Sequence, residues 1–170
     1  MKCVIFVLIL FALSGCNTNI PEDVNLEWQY EHSTDVAHFK VINFVPIQLE
    51  NQVCDSIVWE LEASQVFKGS MNKGDVIQVW GPNDPNYWKV GSDRLMFLRM
   101  YDGEPYSVCS KHLFSNFKQV HWGCCEITGA GDDAQVQFGT MLNSEESGPN
   151  IPVDADIVFS RLRSYEQKQP

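Results

Sequence analysis

IVWELEASQVFKGSMNKGDVIQVW, residues Ile57 to Trp80, is the stretch that sets the fold class. Ile57, Trp59, Leu61 and Ala63 fall on one face and Glu60 and Glu62 on the other. That period of two belongs to a half-buried β-strand, and acids alternating with apolar residues mark its solvated side. Gly69, Asn72 and Gly74 supply turn residues, and Asp75–Trp80 opens a second strand. Together they read as a hairpin whose loop is longer than two residues.

Working outward, His38–Val45 alternates in the same way, with Phe39, Val41 and Val45 on one face. Residues 81–92 are a loop rich in Gly, Pro and Asn. Arg94–Tyr101 is apolar on both faces and so predicts a central strand. Asp102-Gly103 signals a turn, and Glu104–Cys109 reads as a short fifth strand, with Pro105 placing its start at an edge. Lys111–Phe117 suits a helical turn. Gln119–Ile127 and Ala134–Leu142 predict a further hairpin (119–143) turning at Gly129-Ala130-Gly131-Asp132, and residues 143–150 read as a linker. The segment 150–168 predicts a helix. Ile151, Ala155, Val158, Leu162 and Tyr165 form one apolar stripe, Asp154 and Asp156 lie near its start, and Arg161, Arg163 and Lys168 towards its end, with Asn150 as N-cap. The chain is therefore expected to be mainly β with a C-terminal α-helix, in one globular domain spanning 36–168.

At 170 residues, 44% hydrophobic and 12% aromatic, the chain can bury a core. Acids outnumber bases 22 to 12, a formal net charge of −10. Such a surface repels phosphate backbones, so nucleic acid is excluded as an expected partner. It also repels anionic headgroups, so membrane attachment has to come from something other than a basic face.

The N-terminus offers that something. MKCVIFVLILFALSGC, residues 1–16, places Lys2 before an apolar run from Val4 to Leu13. The run is shorter than the roughly 20 residues a spanning helix needs and has the proportions of a signal peptide. It ends in Leu13-Ser14-Gly15-Cys16, which resembles the bacterial lipobox. The resemblance implies a lipoprotein signal peptide at 1–15, cleavage before Cys16, and acyl chains on that cysteine that hold the protein to the lipid bilayer. Each buried methylene adds about 0.8 kcal/mol, and two or more chains anchor stably where one does not. Asn17, where an Asp would retain a proteobacterial lipoprotein at the inner membrane, implies an outer-membrane place in a Gram-negative envelope. Residues 16–35, polar with Pro21, are expected to form a lipidated tether, with Trp28 and Tyr30 available to dock on the domain.

A second resemblance lies within the β-rich region. Phe67-Lys68-Gly69 is followed by Lys73-Gly74-Asp75-Val76 with Val79. Then come Trp88-Lys89-Val90-Gly91, Arg94-Leu95-Met96-Phe97-Leu98, Gly103 and Val108-Cys109. This order and spacing resembles the netrin-like domain shared with tissue inhibitors of metalloproteases, over about residues 36–118. It implies a five-stranded barrel of the OB type, matching the strand count read independently. The family's inhibitory chemistry needs an unblocked N-terminal cysteine beside the barrel. An acylated Cys16 does not supply one, so the resemblance bears on fold and not on activity.

Four cysteines remain after Cys16: Cys54, Cys109, Cys124 and Cys125. In an oxidising envelope disulfides are the default. A bond between the adjacent Cys124 and Cys125 would close a strained ring. The remaining pairings join Cys54 to one of that pair and Cys109 to the other, or Cys54 to Cys109 alone, and the last is preferred. Cys109, His112, His121, Cys124 and Cys125 also have spacings found in metal sites, which makes metal or redox handling the alternative function. His32 and His38 read as isolated surface residues. No Gly-x-Ser-x-Gly, His-Glu-x-x-His, phosphate-binding loop or dinucleotide fingerprint occurs, so neither catalysis nor a cofactor is expected. The sequence reading is thus a non-enzymatic binding or structural module with a protein, peptide or glycan ligand. Trp80, Tyr87 and Trp88 are its expected contact surface, unless the two tryptophans instead close an end of the barrel.

Overall fold

The structure is a computed structural model, and residues 20–21, 24–49, 52–104, 107–141 and 147–168 are described. Cys16 and the apolar run before it lie outside the described residues. Among the described residues no helix is long and apolar enough to cross a membrane.

The chain runs α1 (Leu26–Glu31), β1 (Asp35–Leu49), β2 (Gln52–Lys68), β3 (Val76–Trp80), β4 (Asp93–Arg99), α2 (Val108–Asn116), β5 (Lys118–Thr128), β6 (Gln135–Met141), β7 (Ser147–Asp154) and α3 (Ala155–Glu166). Five strands close a ring in the order β1-β2-β3-β5-β4. All neighbours in the ring are antiparallel except β3 and β5, which run parallel through Val79↔Lys118 and Trp80↔Gln119. This is a mixed barrel of the OB type. β6 leaves the ring by pairing with the end of β5, Glu126↔Gln137 to Thr128↔Gln135, and β7 pairs with β6 outside it.

The alternation at Ile57–Ala63 becomes the barrel's inner and outer faces. Phe39, Val41, Trp59, Leu61, Met96 and Leu98 pack with Trp88 inside the ring, and Trp59 and Trp88 are fully buried there. A second core lies outside, between the barrel wall, β6–β7 and α3: Val36, Phe67, Leu95, Phe97 and Cys125 meet Val158, Phe159 and Leu162. This explains why Arg94–Tyr101 is apolar on both faces, since β4 separates the two cores. A third cluster, Ile47, Cys54, Val58, Leu113 and Phe114, seats α2 against the opposite wall.

Four expectations are corrected. Glu104–Cys109 is not the fifth strand. Ser107 caps α2, its side chain accepting from Ser110 N at 3.0 Å while Ser107 N donates to Ser110 Oγ at 2.8 Å, so Cys109 is helical. The fifth barrel strand is β5, the first arm of the expected extra hairpin, so the barrel extends past residue 118. The linker at 143–150 gives way to β7 from Ser147, and α3 starts at Ala155, capped by Asp154 (Asp156 N to Asp154 Oδ1, 2.8 Å) instead of Asn150. Ile151 therefore lies on β7, and Phe159 joins the buried stripe of α3.

The fourth concerns 16–35. Its described part folds onto the domain: Val24, Leu26 and Tyr30 are buried in the outer core, and Ile20 packs against it. The Tyr30 hydroxyl donates to Phe67 O at 2.9 Å, and Lys68 Nζ donates to the α1 carbonyls of Tyr30 (2.7 Å) and Glu31 (3.1 Å). Tyr30 also packs on Tyr165 of α3, with ring centroids 5.5 Å apart. Trp28 stays 41% exposed.

Replacing Trp88 with Ala empties the barrel centre and is expected to cost about 3–5 kcal/mol in urea unfolding. Burial holds the pKa of Tyr30 above its ordinary 10.0, with Glu166 adding to the rise, and burial does the same for Tyr165. Above pH 10 the unfolded chain therefore releases protons that the folded chain keeps, and stability falls as pH climbs through the folded values. Burial lowers the Lys68 pKa, which acts in the opposite sense just below its ordinary 10.5. Stability followed against pH should hold until about pH 10 and then fall, with a shallower fall in the double variant Tyr30→Phe/Tyr165→Phe.

Candidate binding surface

The loop at 81–92 is fastened across one barrel end. Trp59 Nε1 donates to Pro82 O at 3.0 Å, and the Trp59 and Trp88 rings meet at 4.9 Å between centroids. A Cβ at Gly81 would come within 2.6 Å of Trp88 Cη2, so only glycine lets the chain pass over the ring. Asp84 folds the tip, accepting from Asn86 N at 2.8 Å on its carboxylate and from Tyr87 N at 3.0 Å on its carbonyl. The returning chain is stitched to β1 by Gly91 N to Val41 O (2.7 Å) and Val41 N to Ser92 O (2.9 Å). On this braced loop Tyr87 is 62% and Val90 48% exposed.

The expected trio is therefore split. Trp88 is an interior plug. Trp80 is half-buried on the outer wall, its ring 5.2 Å from Phe114 and 6.1 Å from Tyr101, in the cluster under α2. Tyr87 alone of the three faces solvent, and Val90 is the exposed neighbour that sequence reading did not select.

The outer face of β1–β3 carries a row of polar side chains across three strands. Glu60 accepts from Gln78 Nε2 and from Asn43 Nδ2, each at 3.0 Å. Those bonds, Gln78's first, hold the Glu60 carboxyl below its ordinary value, so it is an acceptor at neutral pH and not a proton donor. The acids of Ile57–Phe67 thus lie on the solvated side, as their alternation predicted.

Two members of the cysteine and histidine cluster, Cys109 and Cys125, lie apart. Cys109 is bonded to Cys54, their Cα atoms 5.7 Å apart, which selects the preferred pairing. Cys125 is buried in the outer core by α3, away from the α2 cluster that holds Cys109. His112 sits on α2, its carbonyl accepting from Asn116 Nδ2 at 2.7 Å. The side chains of His121 and Cys124 lie outside the described residues. Among the described residues no three His, Cys, Asp or Glu side chains are grouped to hold a metal.

Three polar pairs had no signal in the sequence. Asp35, 2% exposed, binds Lys118 from 83 residues away and accepts from the Thr34 hydroxyl at 2.7 Å. His38, read as an isolated surface residue, is half-buried, 2.8 Å from Asp93 Oδ1 and stacked on Phe159. Arg94 is buried with its guanidinium 4.0 Å from Glu126.

The geometry defines a closed OB-type barrel with a packed interior and a braced aromatic loop. No protein-family model matches the sequence, and no curated protein matches it.

Removing both cysteines of the disulfide, Cys54→Ala with Cys109→Ala, opens a loop closed over a separation of 55 residues. The loss is expected to be about 4 kcal/mol in urea unfolding.

Proposed function

We propose that this chain is a lipoprotein of the bacterial cell envelope, anchored through acylated Cys16, whose barrel serves as a non-enzymatic binding or structural module. In a Gram-negative cell its place is the outer membrane. The netrin-like resemblance supports the barrel fold and carries no activity with it.

The braced loop carries the binding reading. The barrel interior is occupied by Phe39, Trp59, Leu61 and Trp88, so a ligand is met on the outside. Residues 81–92 hold Tyr87 and Val90 out on a backbone tied to the wall at both ends. Pre-ordered aromatic side chains cost little conformational entropy on binding. An exposed tyrosine and an exposed valine on one loop suit a peptide side chain or a sugar face. The neighbouring strand face offers the Glu60 carboxylate and the Asn43 and Gln78 amides for hydrogen bonds. In OB folds the strand 2–3 face takes part in ligand binding, and here that face carries Glu60 and Gln78. The acidic surface favours neutral or basic ligands over nucleic acid.

Growth with labelled palmitate should mark the native chain, and membrane fractions should retain it after high-salt washing. Cys16→Ser should lose the label and keep its leader, as read by intact mass spectrometry. A native chain that stays unlabelled and washes off would end the anchoring reading.

A further inference from the structure

We infer that the domain is held flat against its membrane by a leash too short to let it turn, with the α1–α3 side at the bilayer and Trp28 at the interface. This rests on acylation at Cys16. The leash length follows from where folding begins. Ile20 already packs on the outer core, and Val24 N donates to Pro21 O at 3.0 Å before Val24 and Leu26 go under. Cys16 and Ile20 are four residues apart, a reach of about 14 Å even at full extension. A domain of this length has a radius of gyration of about 15 Å, so it is far wider than its leash.

The docked segment cannot lengthen the leash by peeling away cheaply. Releasing α1 would expose Leu26 and Tyr30, break the Tyr30–Phe67 hydrogen bond and free Lys68 from two carbonyls. A salt bridge from Lys168 to Glu27 (3.5 Å) ties α1 to the end of α3.

Charge is not what holds this side down. Glu27, Glu31, Asp156 and Glu166 on the two helices outnumber Arg161, Arg163 and the following Lys168, so this side carries no basic face. What it does present is Trp28, 41% exposed and stacked on His32 at 4.3 Å. A half-exposed indole is the side chain that settles at a membrane–water boundary. The opposite consequence falls on the loop at 81–92. It lies at the end of the barrel where β1 reaches Val41, about 20 Å along the strand from Asp35, where α1 hands the chain over. Tyr87 and Val90 are therefore carried away from the anchoring bilayer, and their ligand is not that bilayer.

The test uses full-length lipidated protein, extracted from membranes and reconstituted into phosphatidylethanolamine–phosphatidylglycerol vesicles with brominated acyl chains. Bromine should quench a part of the tryptophan emission that Trp28→Phe lacks. The emission added by Tyr87→Trp should escape quenching. A Gly/Ser insert of about 20 residues after Asn17, with a mean reach of about 25 Å, should abolish the Trp28 quenching. Chains that carry the lipid mass and float with the vesicles, yet show no Trp28 quenching, equal quenching at position 87, or quenching that survives the insert, would overturn the orientation alone. Chains that lack the lipid mass or fail to float would overturn the anchor, and the orientation with it.

Discussion

The barrel depends on a ring closure made by very little backbone. β3 and β5 meet over two register pairs, Val79↔Lys118 and Trp80↔Gln119, whereas β1 and β2 pair along almost their whole length. So short a parallel contact between strands distant in sequence does not hold by main-chain bonds alone, and each flanking feature acts to hold it. α2 delivers β5 to β3, with Leu113 and Phe114 packing beside Trp80 and Tyr101. The disulfide ties α2 to the start of β2, which is also β3's partner. Lys118, the first residue of β5, reaches Asp35 at the start of β1, so one ion pair links the closing strand to the strand that opens the ring. Gly69 leaves the space that the Asp35 carboxylate fills, at a φ of +107° that a side chain would strain. Covalent, apolar and ionic contacts thus converge on the seam with the fewest hydrogen bonds.

What could be read in the sequence followed the same division between local and distant determinants. Alternation at Ile57–Ala63, the two-sided apolarity of Arg94–Leu98 and the stripe from Ala155 to Tyr165 each reflect burial repeated at a fixed period, and each element is where its period places it. Glu104–Cys109 misled because a single valine and tyrosine look like a short strand, while the Ser107–Ser110 reciprocal cap that starts α2 pairs two serines and lacks the usual acid. β7 was hidden by composition: Gly148, Pro149, Asn150 and Pro152 suggest a linker, and only its pairing with β6 makes it extended. α1 was hidden by length, since six residues carry too little periodicity to register and tertiary docking stabilises the helix.

The candidate site shows the same limit. Trp80, Tyr87 and Trp88 lie within nine residues, and proximity in sequence suggested one surface. Strand geometry and the Gly81 crossing send them to three environments: outer wall, solvent and barrel interior. Cys109 and Cys125, both drawn from one sequence cluster, part for the same reason, because each belongs to a different core.

Filling the barrel with aromatic rings has a consequence for how the molecule can work. A small barrel with a packed centre cannot enclose a ligand, which leaves only its loops and outer face open to contact. Here the same residues that pack the centre also fix the loop. Trp59 packs the interior with its ring and holds Pro82 with its indole N–H. Stability and presentation of Tyr87 are therefore coupled, and a substitution that loosens the core also loosens the surface. Under the proposed acylation of Cys16, the docking of Val24, Leu26 and Tyr30 on the outer core sets which end is offered outward. A packed core and a loop tied to the wall at both ends leave Tyr87 few degrees of freedom.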